Sequence, residues 1–530
     1  MKKKIVALLL AMTMVLALVA CGGNSNSSDK TSGDKTSTST SDKGSSDKSE
    51  SKNDDRVLRM CSSEVLPTID PEEIHKLRVN EIIYNVYEGL IYYNYEEGKA
   101  EPRVAESYEI SEDGTVYTFK IREGVKLHNG DDLTMDDIVF SYDKAMESAT
   151  RVNHIAAIDS YRAVDEKTFE VTLKYASAPW IQYCSELFIY SKAFAAENSL
   201  TTAACGTGPY AITSCDLNTM VILEAFEDYY RGAASIKKIE WAVITDSTSA
   251  AMALQSGDLD FLQVAWAQAA NLESEGFTIG EIPSRHTTYF SFNCSVEPFN
   301  DPKFRQAITC FIDREEIAAV AFDGFATPAK YAIHPDMIGF PQDKSQMEPY
   351  AMTFDPDKGL ALLEELGYDT SKELDLGEML CFSEGHYLYK PAQVIQDQLA
   401  RYNIKVTMKC DSTNFFANYY PGNFGIAVCG HSCGGDASAY STVFCTTTMG
   451  VSAGNSHYDY NYKMDELFEK SLQTDGEERE QVFLQILEQL QQNVPEIGLV
   501  HKQVIAAYKA DELNVVLRMD NPLIYEWSWN

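Results

Sequence analysis

The segment 102–146 constrains the fold most, because the spacing of its apolar residues changes from a strand pattern to a helix pattern. Apolar and polar residues alternate on both sides of Asp113-Gly114, a dipeptide typical of a tight hairpin turn. Thr134, followed three residues later by Asp137, is typical of a helix N-terminus. Apolar residues at helical spacing then continue to Met146. The segment therefore predicts a β-hairpin followed by an amphipathic helix.

The same segment also resembles a family signature. Its runs AESYEISEDG, YTFKIREGVKLHNG and LTMDDIVFS are similar to a highly specific stretch of the family 5 extracellular solute-binding proteins of ABC importers. That family includes dipeptide, oligopeptide and nickel binders. Two further runs, GTGPY at 206–210 and GDLDF at 257–261, resemble hallmarks of the same family. The resemblance extends over roughly residues 57–530, which is the whole exported body of the chain.

The resemblance implies an α/β fold of the periplasmic-binding-protein type, with two lobes, a hinge and an extra subdomain in the first lobe. We place lobe I at 56–291 plus 497–530, with the subdomain inserted at about 91–230, and lobe II at 292–496. Proteins of this family bind their ligand without turnover. We therefore predict no enzyme activity, no cofactor, and a monomer that delivers its ligand to the permease subunits of an ABC transporter.

Residues 1–20 predict an export signal, since three lysines precede an apolar run. The run ends in LVACG, which resembles a bacterial lipobox, and we therefore predict that Cys21 is lipidated. Acyl chains on Cys21 would hold the protein at the cell surface, on the outer face of the cytoplasmic membrane, or in the periplasm of a Gram-negative cell. Residues 21–55 consist mainly of Ser, Thr, Lys, Asp and Gly and are predicted to form a disordered tether.

The charge balance argues against one class of partner. The chain contains 44 lysines and arginines against 79 aspartates and glutamates, so its formal net charge is −35. Such a surface repels a polyanion. We therefore predict no nucleic-acid partner.

The twelve cysteines leave the disulfide pattern open. Lipidation of Cys21 would leave eleven of the twelve, so at least one would stay unpaired. Export permits disulfides, but the sequence alone does not give their connectivity.

One motif favours a different function. The GHSCG run at 430–434 fits the G-x-S-x-G nucleophile elbow of the α/β-hydrolases, with Ser432 as the nucleophile. Asp465 and His501 follow in the order that this class of triad requires. The elbow needs a helix directly after the serine, whereas residues 437–448 are rich in Ser and Thr and are poor helix formers. We therefore expect no catalytic residue and keep an exported serine hydrolase as an alternative.

Possible ligands for a soft metal are concentrated in the same region. Their spacing is not a standard zinc spacing, and buried thiols would explain the cysteines without a metal. We predict no metal site, but a binder of nickel, haem or another metal chelate remains an alternative, because the resembling family includes such proteins. The candidate metal ligands are Cys429, His431, Cys433, Cys445 and His457.

The resemblance also implies where a charged end of the ligand binds. In the dipeptide and oligopeptide members this loop holds an aspartate that pairs with the ligand's ammonium, and an aromatic residue three positions before it. Here Cys433 and Gly430 stand at those two positions, so both depart from the family pattern. Asp436 is the nearest acidic replacement on the loop, and Glu64 is the second choice. We predict that Asp436 pairs with the ammonium of a peptide ligand.

The remaining predictions concern the lining of the pocket. Tyr387, Tyr389 and Trp527 could cover an extended ligand, although core packing explains each of them singly. Together with the resemblance, these features predict a membrane-tethered lipoprotein that captures peptides between two lobes. The predicted ligand-binding residues are Ser63, Glu64, Trp266, Ser383, Glu384, His386, Gly430, His431, Cys433, Asp436 and Tyr440.

Overall fold

The fold is that of a computed structural model, which describes residues 55–73, 77–282, 284–446, 463–519 and 521–530. All of these residues belong to one compact unit. Several predictions lie outside the described residues: the signal peptide, the lipidation of Cys21, the tether as far as residue 54, and His457 as a metal ligand.

Strands and helices alternate through the described part of the chain. Its strands are β1 (Val57–Ser62), β2 (Glu88–Gly89), β3 (Ile91–Asn94), β4 (Lys99–Pro102), β5 (Ala105–Ile110), β6 (Val116–Ile121), β7 (Ile158–Asp165), β8 (Thr168–Leu173), β9 (Phe188–Ile189), β10 (Tyr210–Asp216), β11 (Met220–Ala225), β12 (Lys238–Val243), β13 (Phe261–Val264), β14 (Thr278–Ile282), β15 (His286–Phe292), β16 (Ala326–Pro328), β17 (Leu374–Cys381), β18 (Ile404–Cys410), β19 (Ile426–Ser432), β20 (Glu496–Lys502), β21 (Val504–Tyr508), β22 (Leu513–Asn514) and β23 (Ser528–Trp529).

Its α-helices are α1 (Leu77–Val86), α2 (Met135–Glu147), α3 (Val152–Ile155), α4 (Trp180–Cys184), α5 (Lys192–Glu197), α6 (Ser247–Ser256), α7 (Trp266–Ser274), α8 (Pro302–Thr309), α9 (Arg314–Ala321), α10 (Pro356–Glu365), α11 (Tyr389–Ala400), α12 (Phe415–Tyr419), α13 (Ser441–Phe444), α14 (Met464–Gln473) and α15 (Gly476–Asn493). Within the described ranges, none of the helices combines the length and the apolar composition needed to cross a bilayer.

Two sheets form the first lobe, which we call lobe I. In the four-stranded sheet, of order β1-β12-β11-β10, β1 is parallel to β12 and the other pairs are antiparallel. The three-stranded sheet, of order β13-β21-β14, is antiparallel. Their shared core includes Leu58, Trp241 and Trp527, so the ring of Trp527 packs inside lobe I.

The subdomain contains the antiparallel sheet β5-β6-β8-β7 and helices α2 and α4, which share one core. The predicted hairpin is confirmed, since Ile110 pairs with Tyr117 across a turn in which Gly114 adopts a φ of 69° that favours glycine. The predicted helix start is also confirmed, because Thr134 and Asp137 form a capping box at α2. The apolar stripe of α2 and one face of the sheet are buried against each other.

The second lobe, lobe II, is built on a six-stranded sheet of order β16-β20-β15-β19-β17-β18. Strand β17 is parallel to both of its neighbours, and the other pairs are antiparallel. Helices α8, α9, α10, α11 and α15 contribute to its core, which includes Phe290, Phe311, Ile395 and Phe483. Burial of this apolar area drives the folding of the lobe.

The chain crosses between the two lobes twice, from β14 to β15 and from β20 to β21. The two crossings are neighbours, since β14 pairs with β21 in lobe I and β15 pairs with β20 in lobe II.

The domain limits given above stay a prediction. Because β15 and β20 lie in the sheet of lobe II, we propose that the crossings fall between Ile282 and His286 and at Gln503. Because β10 and β11 lie in a sheet of lobe I, we propose that the subdomain ends before Tyr210.

Candidate functional site

Trp266 is a side chain of lobe I that contacts lobe II. It begins α7, directly after β13, and its indole Nε1 donates to the carbonyl oxygen of Gln503 at 3.2 Å. Its ring centroid lies 5.0 Å from that of Phe322 and 6.3 Å from that of Tyr387, both in lobe II. Because Gln503 joins β20 to β21, Trp266 stands at the crossing between the lobes.

Three side chains of lobe II complete a cluster beside Trp266, in which His286 is buried and the other side chains are half-buried. The Nζ of Lys502 lies 4.4 Å from the ring centroid of Tyr387 and 5.9 Å from that of Trp266, within the range of a cation–π interaction. The hydroxyl of Tyr387 is hydrogen-bonded to Nε2 of His286 at 3.0 Å. We call Trp266, His286, Tyr387 and Lys502 the hinge platform.

Strand pairing positions the polar edge of the hinge platform. In the register of β15 with β19, His286 stands opposite Ser432, and its Nδ1 lies 3.1 Å from the Ser432 hydroxyl oxygen. Gly430 gives the His286 ring its space, because a Cβ at position 430 would come within 2.5 Å of His286 Nε2 and 3.1 Å of the Tyr387 hydroxyl oxygen. Glycine is therefore required at position 430 because the side chains of His286 and Tyr387 approach its Cα closely. Its backbone conformation does not require glycine, since its φ is not in the left-handed region.

Lysine dominates the electrostatics of the hinge platform. Burial, and then the charge of Lys502, lower the pKa of His286 well below its ordinary value. The same two causes lower the pKa of His386, whose ring stacks on that of Phe382 at 4.0 Å. Both imidazoles are therefore neutral at neutral pH, and the ammonium of Lys502 supplies the positive charge here.

Asp436 lies in a different environment, where protein groups already surround its carboxylate. The residue is 1% exposed, and its Oδ1 accepts hydrogen bonds from Arg479 Nη2 at 2.6 Å and from the backbone and hydroxyl of Ser438 at 2.8 and 2.6 Å. Its Oδ2 accepts from Nε2 of Gln182, in the subdomain, at 3.2 Å. The ammonium-binding role of Asp436 stays a prediction, and a ligand ammonium would have to compete with Arg479 for this carboxylate.

The sequence and the geometry together can be compared with known proteins. The family model for bacterial extracellular solute-binding proteins, family 5, middle part, matches residues 99–450. The chain belongs to this family. The family predicted from segment 102–146 is thus confirmed.

Named relatives of this family 5 protein include binders of different ligands. The glutathione-binding protein GsiB of Escherichia coli O1:K1 is 27% identical over 482 residues, which cover 87% of this chain and 91% of GsiB. The periplasmic binding protein DppA of Helicobacter pylori, solved with the peptide STSA, gives a TM-score of 0.72 at 21% identity and covers 89% of this chain and 98% of DppA. NikZ of Campylobacter jejuni, solved with Ni(L-His), gives a TM-score of 0.70 at 21% identity and covers 89% of this chain and 99% of NikZ. The predicted two-lobed α/β fold is confirmed.

Two more of the predicted ligand-binding residues are buried in lobe II of this family 5 protein. Nε2 of His431 lies 3.2 Å from Oε1 of Glu496, and both side chains are buried. Burial lowers the pKa of His431, but Cys433 and Glu496 raise it by more, to about 10, so the imidazole keeps its second proton at neutral pH. The hydroxyl of Tyr440 lies 3.2 Å from Oγ1 of Thr287 in the core of the lobe. Ligand contact by His431 and Tyr440 stays a prediction, and the structure gives both a role in packing.

The other predicted residues lie closer to solvent. Ser63 and Glu64 follow β1 and are exposed, as is Glu384. The backbone N–H of Ser383 donates to the hydroxyl of Ser412 at 2.8 Å, in the loop that leads to His386. Cys433 is partly exposed after the end of β19.

Of the predicted ligand-binding residues, the structure brings Trp266 and Gly430 together at the hinge platform. His386 lies beside it, its ring 4.7 Å from that of Tyr387. Sequence reasoning missed His286 and Lys502, and it offered Tyr387 only as an aromatic that could cover an extended ligand or pack in the core. No local pattern marks His286 and Lys502, since they meet only through the pairing of strands distant in sequence.

The residues of the alternative hydrolase triad do not assemble. Ser432 ends β19 and faces His286, whereas Nδ1 of His501 lies 3.1 Å from Oγ1 of Thr287. Asp465 accepts a hydrogen bond from the backbone N–H of Thr446 at 2.7 Å. This arrangement lacks the serine–histidine–acid chain that such a triad needs.

The candidate metal ligands also fail to converge within the part of the chain that the structure describes. No group of three or more His, Cys, Asp or Glu side chains there is placed to hold a metal ion. Cys429 and Cys445 are buried thiols.

Proposed function

We propose that this protein captures peptides between lobes I and II, using the hinge platform as part of the binding surface, and delivers them to the permease subunits of an ABC transporter. One observation carries the proposal: Trp266 of lobe I meets Tyr387 and Lys502 of lobe II where the chain crosses between the lobes. Similarity to glutathione-binding and peptide-binding proteins supports a peptide ligand.

The proposed mechanism is binding followed by closure, with no covalent step. A ligand in contact with both lobes binds their closed arrangement more tightly than the open one, and this difference in affinity shifts the population toward closure. The rings of Trp266 and Tyr387 offer apolar surface to the ligand. The hydrogen-bonded pair of His286 and Ser432 stands at the polar edge of that surface.

We further propose that Lys502 pairs with a carboxylate of the peptide. A carboxylate of the ligand that is enclosed between the lobes needs a cationic partner, because desolvating an unpaired charge is costly. The imidazoles beside Lys502 are neutral at neutral pH, so the lysine is the cationic group of the platform. Asp436, whose carboxylate also accepts from Arg479, and Glu64 stay the first and second candidate partners of the ligand's ammonium.

Calorimetric titration with the peptide Ser-Thr-Ser-Ala, as the free acid and as the C-terminal amide, tests this proposal. Lys502→Met keeps the aliphatic stem and removes the charge. It should weaken binding of the free acid about ten- to a hundredfold, which corresponds to one hydrogen bond to a charged group, and spare the amide. Lys509→Met is the matched control, since Lys509 also lies near an aromatic ring, 5.8 Å from Phe277, but outside the platform.

Two outcomes would count against the proposal. Equal affinity of the wild type and Lys502→Met for the free acid would rule out the carboxylate site. If the wild type binds neither this tetrapeptide nor reduced glutathione in the same titration, capture of short peptides is contradicted.

A metal-chelate ligand is the second candidate, favoured by the similarity to NikZ. A chelate such as Ni(L-His) brings ligands of its own, so it does not require a complete protein site. Neutral imidazoles like that of His386 are the form that coordinates a metal. Titration with Ni(L-His) distinguishes the two ligand classes, because tight binding of the chelate without binding of peptides would favour this candidate.

We also propose that the protein is a monomer, that Cys21 carries the lipid anchor, and that the chain has no hydrolase activity. Ser432→Ala tests the last point. A broad ester and peptide hydrolysis screen should detect no turnover in the wild type, and turnover that disappears in Ser432→Ala would replace the binding proposal with an enzymatic one.

A further inference from the structure

Two cysteines stand side by side at the ends of neighbouring strands in lobe II. Cys381 is the last residue of β17, and Cys410 is the last residue of β18. The two strands are parallel, and their register places Cys381 directly opposite Cys410. The two Sγ atoms are 3.1 Å apart.

The backbone at this position suits a cross-link. Neighbouring strands lie about 4.8 Å apart, and a disulfide needs a separation of about 4.4–6.8 Å between its Cα atoms. Ion pairs on the same two strands, Lys405 with Asp375 at 2.7 Å and Lys409 with Glu378 at 3.1 Å, support the observed register. The usual spacing of the two strands therefore lies within the range that a disulfide can span.

We propose that Cys381 and Cys410 form a disulfide in the exported protein. Strand β18 is the edge strand of the sheet, so the bond would join the edge to its neighbour. Export places the chain in a compartment where disulfides form and persist, whereas both thiols would stay reduced before export.

The chemistry is thiol–disulfide exchange with a low-molecular-weight disulfide as the oxidant. The exposed Cys410 reacts first: its thiolate sulfur bonds to one sulfur of the oxidant, whose own S–S bond breaks and releases one thiolate. The sulfur of the buried Cys381 then attacks Cys410 Sγ, and a second thiolate leaves. Two electrons pass to the oxidant, and the two protons of the cysteines end on the two released thiols.

The disulfide would hold a loop that leads to the hinge platform. Directly after the cysteines, the backbone N–H of Asp411 donates to the carbonyl oxygen of Cys381 at 3.0 Å, and Ser383 and Ser412 exchange backbone-to-hydroxyl hydrogen bonds. The same loop continues to Tyr387. The cross-link would therefore fasten the strand ends from which the Tyr387 segment starts.

Peptide mapping of the full chain tests the proposal. The folded protein is equilibrated with an excess of oxidised glutathione, its free thiols are alkylated, and it is digested without reduction. We expect a cross-linked peptide pair containing Cys381 and Cys410, lighter than the two free peptides by two hydrogen atoms. Alkylation of both cysteines, or glutathione remaining on Cys410, would overturn the proposal.

Thermal unfolding provides an independent measurement. The oxidised wild type should unfold at a midpoint a few degrees above that of the reduced protein, because the cross-link restricts the unfolded chain. Cys410→Ser, at an exposed site, should fold and lose this dependence on reductant. Cys215→Ser, which removes a half-buried thiol of lobe I, is the control and should keep it. An identical midpoint with and without reductant in the wild type would contradict the cross-link.

Discussion

Gln182 of the subdomain donates its side-chain amide to Oδ2 of Asp436 in lobe II at 3.2 Å. The other oxygen of this carboxylate accepts from Arg479 at 2.6 Å, so one buried carboxylate joins a residue of the first lobe's subdomain to helix α15. A carboxylate with these partners is expected to act in the stability of the protein before it acts in recognition.

Asp436→Asn should therefore destabilise the fold. Removing one member of a buried ion pair leaves the other charge without compensation, and the free energy of unfolding should fall by about 3–5 kcal/mol. Urea denaturation measures this change. Asp511→Asn, at an exposed position, is the control and should leave stability unchanged. Asp436→Asn could instead keep full stability and weaken the binding only of peptides with a free ammonium, while acetylated peptides bind as before. In that case the ligand-binding prediction for Asp436 is correct.

His431 should make stability fall at alkaline pH. Its pKa in the folded protein is raised from the ordinary 6.5 to about 10, so the folded state holds this proton more tightly than the unfolded state does. The stabilisation is complete below pH 6.5 and is lost as the pH rises toward 10. The difference in the free energy of unfolding between wild type and His431→Gln, measured across this range, should shrink as pH rises.

His128 should give stability the opposite dependence on pH, and it serves as the comparison for His431. Burial lowers its pKa to about 4, so its contribution is complete above pH 6.5 and is lost as the pH falls toward 4. The difference in the free energy of unfolding between wild type and His128→Gln should thus shrink on the acidic side.

For His431→Gln, a difference in the free energy of unfolding that stays constant from pH 6.5 to 10 would contradict the ion pair with Glu496.

Gly430→Ala should weaken ligand binding. The added Cβ would lie 2.5 Å from His286 Nε2, which forces His286 away from Tyr387 at a cost of about 1–3 kcal/mol. Gly434→Ala is a matched control four residues later, because its Cβ would meet its nearest neighbour, Ala439 Cβ, at 3.9 Å. Calorimetric titration of both variants with Ser-Thr-Ser-Ala compares them. Equal affinities would show that the hinge platform does not contact the peptide.

Cys21→Ala should release the protein from membranes without unfolding it. Acyl chains on Cys21 would retain the wild type in the detergent phase of a phase-separation assay, whereas the variant should move to the aqueous phase. Circular dichroism should show the same fold in both. Partition of the wild type into the aqueous phase would contradict the lipid anchor.

Local sequence patterns predicted the subdomain well because its elements are determined by neighbours in the chain. Thr134 and Asp137 are three residues apart and cap one helix, and Asp113-Gly114 joins two consecutive strands. Family resemblance supplied the two-lobed architecture, which periodicity alone does not give.

The candidate site was harder to predict because its contacts join distant parts of the chain. Trp266 and Lys502 are brought together by the return of the chain to lobe I, and no local spacing encodes that contact. Asp436 and Arg479 are 43 residues apart, and nothing in the loop sequence indicates that an arginine of α15 pairs with this acid. Exposure of an acidic side chain is decided by packing, which the sequence pattern does not report.

The two crossings between the lobes have a mechanical consequence. Strands β14 and β21 are paired in one sheet and β15 and β20 are paired in the next, so two short connections run between the same two strand pairs. Short connections at the ends of strands can absorb the backbone rotation of a hinge, while the strand pairs on either side stay intact. Trp266, hydrogen-bonded to Gln503 in one of these connections, would therefore stay beside the hinge while the lobes rotate.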